Sequence, residues 1–74
     1  MFIELIYFRN IQNLTYDIKV ILYKDQYTYH HPREADNGHI VTKLMSVDSN
    51  YLFTDTLIEK LQDTINEALS EINP

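Results

Sequence analysis

Five carboxylates recur at every fourth position near one end of the chain, at Asp55, Glu59, Asp63, Glu67 and Glu71. On a helix, four residues turn through about 400°, so each acid stands about 40° further round than the last and the row drifts across one broad surface. Such a row can meet a cationic surface through long-range attraction. It is poorly suited to acid–base catalysis, because a solvated helix face lacks the burial that tunes a carboxyl group to act as an acid. Like charges at this spacing cost roughly 0.2–0.5 kcal/mol per neighbouring pair before salt screening. Asp55 and Glu59 recover part of that cost near the positive end of the helix dipole, whereas Glu67 and Glu71 lie near its negative end.

Two readings of the row compete. A solvated face that keeps a chain rich in isoleucine, leucine and tyrosine in solution is the commoner meaning of a charge row. The functional expectation is a small acidic protein-binding module that presents Asp55, Glu59, Asp63, Glu67 and Glu71 to a basic partner. One form of it is an inhibitor that fills a nucleic-acid-binding groove by placing carboxylates where phosphates would lie.

Other residue types with possible chemistry are fewer. His30, His31 and His39, with Asp36 nearby, are the only cluster of metal-ligand character. Adjacent strand residues point to opposite faces, so His30 and His31 cannot share an ion unless the strand has ended, although a tight hairpin would bring His30 opposite His39. Without a complete ligand set these residues read as bystanders, so neither a metal nor a cofactor is expected, and a metal- or ligand-binding domain built on His30 and His39 is the minor alternative. Ser46, Asp48 and Ser49 fit no nucleophile motif, and a single glycine cannot build a phosphate-binding loop, so the chain does not read as an enzyme. Six tyrosines suggest a base-stacking platform, but the basic groove such a platform needs is missing, and tyrosine is an ordinary strand and interface residue.

The net charge of −5 is unevenly placed: residues 1–47 hold five acids and five bases, while residues 48–74 hold six acids against Lys60 alone. Direct binding of a nucleic-acid backbone, which needs clustered lysine and arginine, is therefore not expected. The apolar run Met1–Phe8 is too short for a membrane span of about 20 residues and lacks the basic lead of a secretory signal. With no cysteine, the chain reads as soluble and cytoplasmic.

Seventy-four residues enclose one core, so residues 1–74 are expected to form a single α+β domain. Residues 2–8 read as a strand with Ile3, Leu5 and Tyr7 on one face and Phe2, Ile6 and Phe8 on the other. Residues 16–24 alternate more cleanly, with Tyr16, Ile18, Val20 and Leu22 on the inner side. After a turn at Lys24–Tyr27, a short third strand ends at His30, a loop holds Pro32 and Gly38, and a further strand spans His39–Met45. Ser46–Phe53 reads as a turn into a helix from about Thr56 to Ile72, capped by Thr54 or Thr56, the latter with Glu59 at capping-box spacing. Ile58, Leu61, Ile65, Ala68 and Ile72, widened by Leu57 and Leu69, form its apolar stripe. The expected fold is β-β-β-β-α: a small antiparallel sheet of three to four strands with one amphipathic helix across one face. A single helix leaves the second face of the first strand uncovered, which leads to a homodimer expectation with Phe2, Ile6 and Phe8 at the interface.

Overall fold

The computed structural model describes residues 1–34 and 40–72. Its elements are β1 (Phe2–Asn10), β2 (Thr15–Tyr23), α1 (Gln26–His30), β3 (Ile40–Asp48) and α2 (Asp55–Ile72), with 3-10 turns at Pro32–Glu34 and Ser49–Tyr51. The strands form one antiparallel sheet in the order β1-β2-β3, so the hairpin β1–β2 supplies an edge and the centre, and β3 returns along the other side. The α+β class and the C-terminal helix agree with the sequence pattern.

Residues opposite one another in an antiparallel ladder share a face, and the register therefore sorts every side chain. Tyr7, Ile18 and Met45 lie in one row, and Leu5, Val20 and Lys43 in the next. Ile18, Val20 and Leu22 of the central strand are fully buried under α2, and Val47, Leu57 and Ala68 close the core around them. The helix packs chiefly over β3 and β2. β1 lies towards the rim of that cover, and on it Ile3 stays 40% and Tyr7 45% exposed.

The segment expected to form a short third strand is instead the single helical turn α1. The Asp25 side chain accepts hydrogen bonds from the Thr28 backbone N–H and hydroxyl, both at 2.8 Å. This cap bends the chain into a helix before the Tyr27-Thr28-Tyr29 alternation can pair with a neighbour, so local capping wins over strand propensity. A second difference concerns β3, which continues to Asp48 rather than ending at Met45. Ser46 and Asp48 resemble turn residues in a linear reading, yet they occupy the solvent side of a strand whose alternate residue, Val47, is 1% exposed opposite Tyr16. Asp48 then does supply turn chemistry, accepting from the Asn50 N–H at 2.9 Å.

The helix begins where the Thr54 carbonyl accepts from the Leu57 and Ile58 N–H groups at 3.1 and 3.3 Å. Thr56 lies inside the first turn, so its capping-box pairing with Glu59 is not used. Phe53, at φ 64°, sets the direction of entry, and Leu14, at φ 53°, closes the β1–β2 hairpin. Both are left-handed, which is costly for a residue with a Cβ. Leu14 is held there by its carbonyl, which accepts from the Ser49 N–H at 2.9 Å and from the Ser49 hydroxyl.

α1 folds back on one end of the open sheet face. Tyr29 stacks on Phe2 with ring centroids 4.2 Å apart, and Tyr23 meets Tyr29 edge-on at 5.2 Å. The Tyr23 hydroxyl donates to the Glu4 carboxylate at 3.0 Å. Burial, then that hydrogen bond and the Glu4 charge, push the Tyr23 phenol above its ordinary value. Because the folded chain holds this proton more tightly, Tyr23 contributes stability that is complete below about pH 10 and lost as pH rises through its raised folded value. Tyr23→Phe is expected to cost about 1 kcal/mol in a urea titration at neutral pH. The same variant should lose the late-ionising phenol from an alkaline absorbance titration, and an unchanged titration would contradict this placement.

Candidate functional site

On α2, side chains advance by about 100° per residue, and the centre of the buried stripe falls between Leu57 and Leu61 on one flank and Ile65 and Ile72 on the other. Leu57 and Ala68 are buried, and Leu61, Ile65, Leu69 and Ile72 pack against the core. Ile58, expected in that stripe, is 51% exposed, although its direction lies between those of Ile65 and Leu69, which pack against the core.

All five acids of the row are exposed. Their drift gives them different surroundings. Glu59 and Asp63 stand about 160° from the stripe centre and point furthest from the sheet, Asp55 and Glu67 stand about 120° away on opposite flanks, and Glu71 lies only about 80° away. Glu71 therefore comes down beside the sheet, where the Lys43 ammonium of β3 donates to its carboxylate at 2.5 Å. Glu67 is 3.5 Å from the same ammonium. Hydrogen bonding to Glu71 is the main reason the Lys43 ammonium is held above its usual value, opposed by slight burial and helped by the charges of Glu71 and Glu67.

Lys43 thus neutralises part of the half of the row that the helix dipole leaves unsupported. Lys60, the other base on this flank, donates to the Ser46 carbonyl at 3.3 Å. Asp55, Glu59 and Asp63 make no ion pair among the described residues and remain as the outward anionic surface. The partnership with Lys43 has one legible signal in the sequence: Lys43 shares strand parity with Val41 and Met45, which face the core. A lysine in such a row must run its stem along apolar surface and carry its charge to the rim. Lys43→Gln releases Glu67 and Glu71, so it should tighten binding to a lysine-rich peptide and leave thermal stability nearly unchanged. Weaker binding would show that the ammonium belongs to the contact surface.

The second group of expected residues lies on the open face of the sheet. Phe2 is largely occupied by Tyr29 and Tyr23 of its own chain. Ile6 is half-buried, while Phe8 is 49% and Leu44 73% exposed. Phe8, Asp17, Leu44, Met45 and Ser46 line a shallow depression of about 390 Å³. The Lys19 ammonium lies 6.0 Å from the Phe8 ring centroid, and the Ser46 hydroxyl donates to Asp17 at 2.7 Å. This surface combines exposed apolar side chains with hydrogen-bonded polar neighbours.

His30 and His31 are exposed at the end of α1, where the His31 ring stacks on Tyr27 at 4.1 Å. His39 and Asp36, on which the pairing with His30 depends, lie outside the described residues. Among the described residues, no group of three or more histidine, aspartate or glutamate side chains is placed to hold a metal ion, and no helix is long and apolar enough to cross a membrane.

Fold and surface together define a small α+β scaffold with an anionic helix face and a partly apolar open sheet. Comparison with protein-family models, with characterised proteins and with solved structures finds no match to the chain.

Proposed function

We propose that this protein is a non-enzymatic binding module that docks the acidic outer face of α2 onto a basic protein surface. The observation that carries the reading is the solvent exposure of all five acids while the opposite side of the same helix is committed to the core. Asp55, Glu59 and Asp63 form the main contact, and Glu67 and Glu71 join it if a partner cation displaces Lys43. The spacing of carboxylates along a rigid rod also suits a partner built to follow a phosphate backbone, so a nucleic-acid-binding protein held in an inhibited state is the favoured form of partner. A cysteine-free chain suits a cytoplasmic setting for such an encounter.

A second reading is assembly through the open sheet face, with Phe2, Ile6 and Phe8 at or near the contact. Exposed Phe8 and Leu44 favour it. Salt separates the two. A partner captured from an extract of the native host and released as ionic strength rises supports the helix reading, because exposed charge pairs are screened beyond about 8 Å at physiological salt. Retention that resists salt and is lost with Phe8→Ser supports the sheet reading.

A further inference from the structure

The outer edge of β1 is lightly guarded. Its ladder with β2 runs without a bulge from Phe2 opposite Tyr23 to Asn10 opposite Thr15, and its nine residues, with Glu4 and Arg9 as the charged side chains, contain no proline, glycine or lysine. Natural edge strands usually carry such features, because a long flat edge offers a row of free backbone donors and acceptors to any other strand. The opposite edge differs in two respects: β3 carries Lys43, and Lys60 of α2 donates to the Ser46 carbonyl. Among the described residues, no strand pairs with the outer edge of β1.

We propose that two copies of this chain join edge to edge through β1, antiparallel about a two-fold axis at Leu5, to make one continuous six-stranded sheet. The choice of a second copy rests on self-complementarity. Such an axis, perpendicular to the sheet, pairs residues of equal parity, so Ile3 meets Tyr7 of the second copy and Phe2 meets its Phe8. Ile3, Tyr7 and Phe8 are the large apolar residues that β1 leaves most exposed, at 40%, 45% and 49%, and each acquires a large apolar neighbour.

Charge selects the register. With the axis at Leu5, Glu4 of one copy falls opposite Ile6 of the other, in the same row as Lys19, two strands or about 9–10 Å away. With the axis at Ile6, Glu4 would enter the row of Phe8 and Asp17, and with the axis at Glu4 the two carboxylates would face each other. The perpendicular two-fold also sets both α2 helices on the same side of the joined sheet, so the dimer displays two acidic rows together.

The pairing does not depend on the acidic-helix reading, and it differs from face-to-face assembly in which residues meet. The natural chain has no cysteine, so single substitutions test it cleanly. A mixture of Ile3→Cys and Tyr7→Cys chains, oxidised under native conditions, should give a disulfide-linked heterodimer at least tenfold more abundant than either variant gives alone. Sedimentation of the natural chain should show a dimer, and amides of β1 directed to the free edge should exchange more slowly as concentration rises. Face-to-face packing would instead link Phe8→Cys chains to one another and leave the mixed pair unlinked, which overturns the proposal. A monomer at every concentration, with β1 exchange independent of concentration, overturns it also and serves as the deciding measurement if either variant fails to fold.

Discussion

Ile18→Ala is expected to leave the chain largely unfolded at room temperature. Ile18 is fully buried at the centre of the middle strand, between Tyr7 and Met45 and beneath α2. Truncating such a residue removes its transfer free energy and leaves a cavity, at a cost of roughly 2–5 kcal/mol. A single core in a chain of this length supplies only roughly 3–5 kcal/mol of net stability. The fully enclosed residues of this core are few, and no disulfide limits the unfolded ensemble. Leu44→Ala, at a residue 73% exposed on the same sheet, should stay within about 0.5 kcal/mol of the natural chain. Urea titrations followed by circular dichroism compare the two, and a greater loss for Leu44→Ala than for Ile18→Ala would contradict the assigned faces.

Neutralising Asp55, Glu59 and Asp63 together, as Asn, Gln and Asn, is expected to have the opposite profile: binding to a basic partner is lost and the fold is kept. Three like-charge neighbours are relieved, counting Asp63 with Glu67, for a gain on the order of 1 kcal/mol. Loss of the favourable Asp55 position near the helix start, about 0.3–1 kcal/mol, offsets much of it. The melting midpoint should therefore be unchanged or slightly raised. Neutralising Glu67 and Glu71 instead should weaken binding less, because Lys43 already shares their charge. Equal losses from the two sets would place the contact further along the helix than the geometry does.

Much of this architecture is legible in the linear sequence because two periods dominate it. The alternation of Tyr16, Ile18, Val20 and Leu22 identifies the buried face of β2, and the three- and four-residue steps of α2 identify both its core side and its acidic side. What the sequence conceals is set by interactions that periodicity does not report. The Asp25 cap turns an alternating Tyr-Thr-Tyr segment into α1, and α1 then delivers Tyr29 to Phe2, so the chain covers part of a face that a second copy was expected to cover. The end of β3 is hidden because Ser46 and Asp48 are polar for a strand's solvent side and for a turn alike. The uneven charge of the acidic row is hidden because Lys43 is 24 positions from Glu67 in sequence and meets it only across the helix–sheet contact.

These findings change the weight carried by each acid. A row that looks uniform in sequence becomes graded in space, outward and without an ion pair among the described residues at Asp55, Glu59 and Asp63, and shared with the sheet at Glu67 and Glu71. A partner surface with cations spaced to match one helical turn would meet the first three without disturbing the fold. A partner that also displaces Lys43 gains two further carboxylates.

Chemical-shift mapping of the natural chain with a lysine- and arginine-rich helical peptide, at low and then high salt, shows directly whether the outer face of α2 is the docking surface. Perturbations are expected to concentrate on the backbone and side chains of Asp55, Glu59 and Asp63, with smaller changes at Glu67, Glu71 and Lys43, all reversed by salt. Perturbations centred on Phe8 and Leu44 and insensitive to salt, or none at all on α2, would contradict docking through that face.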